Sequence, residues 1–307
     1  MIRSAAVRLS PPRRTLQPVH APPPRPSSLR ATTMGVVGLV VHDVSSPIYA
    51  DIIQGAQLAT SQAGSVLMLV DADTLTDEAA LRRLAADGRV DGLLWQVASH
   101  AGFDNRVTLA ARHVPVVLTN SRPRDGLPGV YLDDEAAVDL AVNHLVELGH
   151  ERIGFVAGAP GSDVSERRAT AYRHALSEAG IRPRPGWEIS CGWDPAGGAV
   201  AARELLRGFP SITAVLVTNA LVAAGVVTGL GEAGRQVPDD ISVVALHSLW
   251  FSGHLTPPLT VVRLPLAKLG REAAQLLLDE RRPTRDTDLL IKDPMPELLV
   301  RGSTRRL

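Results

Sequence analysis

An α/β fold with two lobes of parallel sheet is predicted by three features of this 307-residue sequence. Short runs of branched apolar residues lack polar alternation, as strands covered on both faces do. Helix-length stretches separate these runs, the order expected of βα units around a parallel sheet. The strand–turn–helix pattern occurs in two series of similar length, which implies two similar lobes with a cleft between them.

The first series opens at Gly35–Tyr49, GVVGLVVHDVSSPIY, where the apolar run Val36–Val41 stops at His42-Asp43 and turns through Pro47. Ligands of open α/β sheets collect at such strand ends. Further strands are expected at Val66–Val70, Gly92–Gln96, Val114–Leu118 and Arg152–Val156. Helices are expected near Ala50–Ala63, Asp77–Ala86, Phe103–Arg112 and Asp134–Leu148. Asp77-Glu78 places acid in a first helical turn, where exposed N–H groups favour it. The second series has helices at Ser165–Ala179, after the Gly192–Gly198 turn as far as Leu206, at Val222–Ala233 and at Lys268–Leu278. Its strands are Trp187–Cys191, Ile212–Thr218, Ile241–Leu246, the extended Leu259–Leu264 and Leu298–Arg301. Gly180, Gly234 and Pro238 punctuate it.

Composition removes several function classes. The chain is formally neutral at pH 7, so no global field draws it to nucleic acid or membrane. A single cysteine, Cys191, precludes an intrachain disulfide and fits a reducing, cytoplasmic setting. No run approaches the ~18 apolar residues of a membrane span, so no membrane partner is expected. Residues 1–34 hold six arginines, seven prolines and no acid, the composition of a basic disordered tail or arm. They contain no apolar core of a secretory signal. GFVAGAPG at 154–161 lacks the spacing of a phosphate loop. His247-Ser248 sits in no nucleophile elbow, and His42-Asp43 has no second histidine at ligand spacing. No catalytic residue, metal site or cofactor is therefore expected.

Motifs in a fixed order give the sequence a family likeness. GLVVHDVSSPIYADIIQGAQ (38–57), RVDGLL (89–94), VPVVLTN (114–120) and AVNHLVELGHERIGFVAG (141–158) come first. RRATAYRHALSEAG (167–180), VPDDISVVAL (237–246), PPLTVVRLPLAKLGREAAQLLL (257–278) and LLVRGST (298–304) follow. Across roughly 29–304 the chain resembles the effector-binding core of the lactose-repressor and galactose-repressor family of bacterial transcriptional regulators. The resemblance implies a periplasmic-binding-protein-like type I fold with two Rossmann-like lobes and three hinge crossings. On that pattern the first lobe comprises 35–158 with 265–285, and the second 159–264 with 286–305. It also implies a small-molecule effector, a sugar or related polar metabolite, held in the cleft, and a homodimer paired through first-lobe helices. Effector closure would then control operator binding by an N-terminal helix-turn-helix.

The resemblance also implies site residues. Ser45, Ser46, Ile48 and Tyr49 occupy the first-lobe loop that meets effector, where Tyr49 stacks on a ring or packs the lobe edge. Asn120 follows a strand that ends at the cleft. Arg168 begins the Arg-x-x-Gly-aromatic pattern, and its guanidinium is a fork of donors suited to hydroxyls or a carboxylate. Asn219 matches a family asparagine. Trp193, Trp250 and Phe251 either line the pocket or pack elsewhere. Three departures stand out: Ala220 replaces an acid, Leu264 replaces a glutamine, and His247 replaces an effector-gripping carboxylate. These changes favour a less hydroxylated or anionic ligand, or a pocket that has lost its ligand. Only Ser28-Leu29-Arg30 resembles the family's hinge helix, and the prolines before it oppose a helix pair. This polypeptide alone is therefore expected not to read an operator. A stand-alone sensor, a transport solute-binding protein and a hydrolase using His247 and Ser248 are the competing readings.

Overall fold

The computed structural model describes residues 35–96, 105–279 and 287–307. The expected tail at 1–34 and the first two residues of the helix expected at Phe103–Arg112 lie outside them.

The chain first lays down β1 (Val36–Val41), α1 (Ala50–Gln62), β2 (Val66–Asp71), α2 (Glu78–Leu81), β3 (Gly92–Gln96), α3 (Asn105–Ala110), β4 (Val116–Thr119) and β5 (Gly129–Leu132). It continues through α4 (Asp134–Glu147), β6 (Ile153–Ala157), α5 (Asp163–Glu178), β7 (Glu188–Ser190), α6 (Pro195–Gly208), β8 (Ala214–Val217), α7 (Ala220–Glu232), β9 (Ser242–Leu246) and β10 (Thr260–Arg263). It closes with α8 (Leu266–Leu278), β11 (Asp288–Ile291) and β12 (Glu297–Leu299).

The two-lobed α/β architecture expected from the sequence is present. Two six-stranded sheets have the orders β11-β5-β4-β3-β1-β2 and β12-β10-β9-β8-β6-β7. Strand pairing is parallel except where β12 runs antiparallel to β10. Central strands are buried on both faces, which is why Val36–Val41 and Ser242–Leu246 read as unbroken apolar runs. The chain passes between sheets three times: from β5 to α4, from β10 to α8, and from β11 to β12.

Those crossings differ from the lobe boundaries read off the sequence. The segment 133–158 belongs with the second sheet, because β6 pairs with β7 and β8. Helix α4 likewise lays Ala137, Val138, Ala141, Val142 and Leu145 against β9 and β10. Conversely, β11 pairs with β5 and so extends the first sheet, although 286–305 was expected to lie wholly in the second lobe. The strands β5 and β11 were not anticipated from the sequence.

Local chemistry sets the helix starts that face the cleft. Asp133 caps α4 through the Ala136 N–H, Asp194 caps α6 through Gly197, and Asn219 caps α7 through Val222. Each side-chain oxygen satisfies a donor that the first turn leaves unpaired. Asp77 does the same for α2 through Ala80. In both lobes a helix pair meets backbone to backbone at glycines. A Cβ on Gly55 of α1 would stand 1.8 Å from the Ala267 carbonyl oxygen of α8. A Cβ on Gly225 of α7 would stand 1.8 Å from that of Pro195 at the start of α6.

Candidate functional site

The C-terminal ends of the central strands open onto a cavity of about 600 Å³ between the two sheets. Its first-lobe wall is the loop after β1, which turns through Ser45 and Ser46 into the short 3₁₀ turn Pro47–Tyr49. Asp43 holds that turn by accepting from the Ser45 amide and hydroxyl, at 2.9 and 2.6 Å. The hydroxyl bond, foremost, keeps the Asp43 carboxyl below the ordinary range. Ile48 and Tyr49 complete the wall, and burial lifts the Tyr49 phenol to about 12. Asn120 after β4 and Gln96 at the end of β3 form the rest of the first-lobe side.

The second lobe contributes Arg168 from α5, Trp193 before α6, Asn219 at the start of α7 and His247 after β9. Trp193 lies hard against Gly158, where an added Cβ would come within 2.2 Å of the indole, so only glycine lets the ring settle there. The Asn219 oxygen is engaged in capping, at 2.8 Å from the Val222 nitrogen, which leaves its amide N–H groups. Asn120 and His247 both hold positive φ, 57° and 60°, at the two strand ends. Backbone strain of this kind concentrates at functional sites.

Arg168 is 1% exposed and largely engaged beneath the cavity. Its Nε donates to Asp134 Oδ1 at 2.7 Å, one Nη to the Thr218 carbonyl at 2.7 Å, and the other to His247 Nε2. Asp134 also accepts from Arg167. Burial pushes its carboxyl upward, but the two guanidinium groups outweigh that and hold it below the ordinary value. A guanidinium only donates, so the His247 Nε2 that meets it must be the ring's lone-pair nitrogen. Burial, and then the Arg168 charge, pull His247 down to about 3, so the ring is neutral and carries its proton on Nδ1.

Nine of the ten residues expected at the site therefore surround one cavity. The exception is Trp250. It lies in the turn after β9, is 81% exposed, and packs edge-on against Phe251 at 5.6 Å, away from the cavity. Sequence reasoning missed Gln96, whose position at the end of a strand facing the cleft was the available signal. It also missed the ion network across the lobes. Arg122, after β4, bonds Asp163 of α5 at 2.7 Å, and Asp163 also accepts from Arg167. Arg167 in turn lies over the Tyr131 ring of β5 at 5.0 Å. The residues in these pairs are far apart in sequence and have no shared pattern.

Comparison with known proteins places this geometry in a family. Residues 142–304 match the periplasmic binding protein-like domain family. A LacI family transcriptional regulator from Mycobacterium smegmatis has a crystal structure 35% identical in sequence, with a TM-score of 0.81, covering 88% of this chain and 99% of that one. The chain belongs to the LacI family of transcriptional regulators. An uncharacterized HTH-type transcriptional regulator of Streptomyces limosus is 33% identical over 292 residues, 91% of this chain and 82% of its own. The transcriptional regulator CelR, solved as a cellobiose complex, is 28% identical with a TM-score of 0.76, covering 87% of this chain and 84% of that one. As a member of this family the protein is an effector-sensing regulator and not an enzyme. No helix among the described residues is long and apolar enough to cross a membrane.

Proposed function

We propose that this LacI-family protein senses a small polar metabolite held between its lobes by Ser45, Ser46, Ile48, Tyr49, Asn120, Arg168, Trp193, Asn219 and His247. The observation that carries this reading is the convergence of both lobes' strand ends and helix starts on one cavity lined by polar side chains and aromatic walls. Such mixed linings suit small ligands, because apolar faces supply burial while a few fixed polar groups set orientation. The cellobiose complex of CelR supports a saccharide-sized ligand, and 600 Å³ has room for one.

A ligand that touches both walls favours the closed arrangement by its differential affinity for the two states. Closure moves the first lobe, whose helices α1 and α8 form the surface through which two copies pair. In the pair, closure changes how whatever precedes residue 35 is held, so that a helix-turn-helix carried there would meet operator DNA differently. A thermal-shift screen of sugars, sugar acids, polyols and nucleosides on the full chain tests the sensing step. A ligand at 100 times its dissociation constant stabilises by about 2.7 kcal/mol. Hits whose effect vanishes in Tyr49→Ala or Trp193→Ala support the cleft, and hits indifferent to both contradict it.

A further inference from the structure

Polar atoms left without partners in the cavity lining constrain the ligand's chemistry. His247 is 3% exposed and Gln96 8% exposed, both line the cavity, and His247 Nδ1 and Gln96 Oε1 have no hydrogen-bond partner. Buried polar atoms are nearly always satisfied, so each exception calls for a reason. With Nε2 committed to Arg168, His247 has no acceptor left and offers one N–H. A carboxylate in that place would accept from two neighbouring hydroxyls, whereas this ring accepts from none. Behind it Arg168, the guanidinium that lines the cavity, is matched by the carboxylate of Asp134. Two more carboxylates, Asp43 and Asp194, line the cavity but are exposed and already accept from Ser45 and Gly197. The unpartnered nitrogen of the buried floor thus donates.

We infer that the ligand places a carboxylate or carbonyl oxygen against His247 Nδ1–H and a hydroxyl or N–H against Gln96 Oε1, as a hydroxy acid or its amide does. This rests on the cleft-sensing reading above and narrows it: with Nε2 held by Arg168, His247 makes the site one that grips an acyl oxygen. The acid and the amide share the acceptor and differ in charge, so matched probes separate them.

The test uses the full chain with two matched series: glucuronate, glucuronamide and glucose; and lactate, lactamide and propane-1,2-diol. Thermal shift and calorimetry are run on the wild type and on His247→Asp. The expected result is that the acid or amide of a series binds the wild type at least 10-fold more tightly than the matching alcohol, and that His247→Asp reverses the order. Preference for acid over amide marks an anionic ligand, and parity marks the carbonyl itself. An alcohol that binds the wild type as well as its acid and amide overturns the inference while leaving cleft sensing intact. Retention of the acid preference in His247→Asp also overturns it. Nitrogen-15 spectra of the unliganded protein give a second, ligand-free decision. An Nδ1–H tautomer at His247 supports the inference, and an Nε2–H tautomer overturns it.

Discussion

His247 concentrates the chemistry that sets this cleft apart, and its protonation has a stability consequence. Its reference pKa of 6.5 falls to about 3 in the native state through burial first and Arg168 second. Between those values the unfolded chain binds a proton that the folded chain refuses. The stability present above pH 6.5 is therefore lost as pH falls, by roughly one kcal/mol per pH unit. His144 and His150 are lowered by burial in the same direction, so their contribution adds to the slope. Urea titrations at pH 7 and pH 5 should show a smaller loss for His247→Asn, since asparagine tolerates positive φ and does not titrate. An unchanged loss would clear His247 of the effect. Asp134 faces a harsher test, because it holds Arg167 and Arg168 in the interior. Asp134→Asn should cost about 3–5 kcal/mol, the scale for breaking a buried ion pair from one side, measured by equilibrium denaturation. At this scale the sequence supplied residue identities but not their pairing. Arg168 was marked as a donor to ligand, whereas its donors turn chiefly to Asp134, Thr218 and His247, an arrangement no local spacing encodes.

Among the elements, the most legible were those with an unbroken apolar run or a full helical period. The runs Val36–Val41 and Gly92–Gln96 and the helices α1 and α4 lie within a residue of their expected bounds. The strands β5 and β11 were missed, each holding only three apolar residues after Gly129 or Asp288, and α2 passes into a π-helical turn at Arg82–Ala86 that periodicity does not foresee. Lobe membership of α4 depends on which sheet its Ala137–Val138 and Ala141–Val142 face meets, a tertiary fact. The glycine contacts within helix pairs give a sharp prediction. A Cβ on Gly270 of α8 would lie 2.0 Å from the Ile52 carbonyl oxygen of α1, and Gly55 is as tightly placed. Gly55→Val and Gly270→Val should each cost at least ~1–3 kcal/mol through overpacking. Gly231 of α7 has nothing within 4 Å of an added Cβ. Gly231→Ala should stabilise by about 0.4–1 kcal/mol through the unfolded chain, and chemical denaturation of the three variants would reveal any other ordering.

For the whole molecule, the lobes are joined by three crossings and by the Arg122–Asp163 bond that spans them, with Arg167 holding Asp163 from within α5. Asp163→Asn removes one charge from that bridge. Solution scattering should then report a larger radius of gyration in the unliganded variant, and metabolite affinity should fall because closure starts from a more open ensemble. An unchanged radius and affinity would make the bridge incidental. The most direct measurement of two-lobed sensing is calorimetric titration of one screened ligand into wild type, Tyr49→Ala and Trp193→Ala. These two variants truncate one wall of the cavity in each lobe. A molecule gripped from both sides should lose affinity at least ~10-fold in each variant, about 1.4 kcal/mol. Undiminished affinity in either one would mean that the ligand does not bridge the lobes.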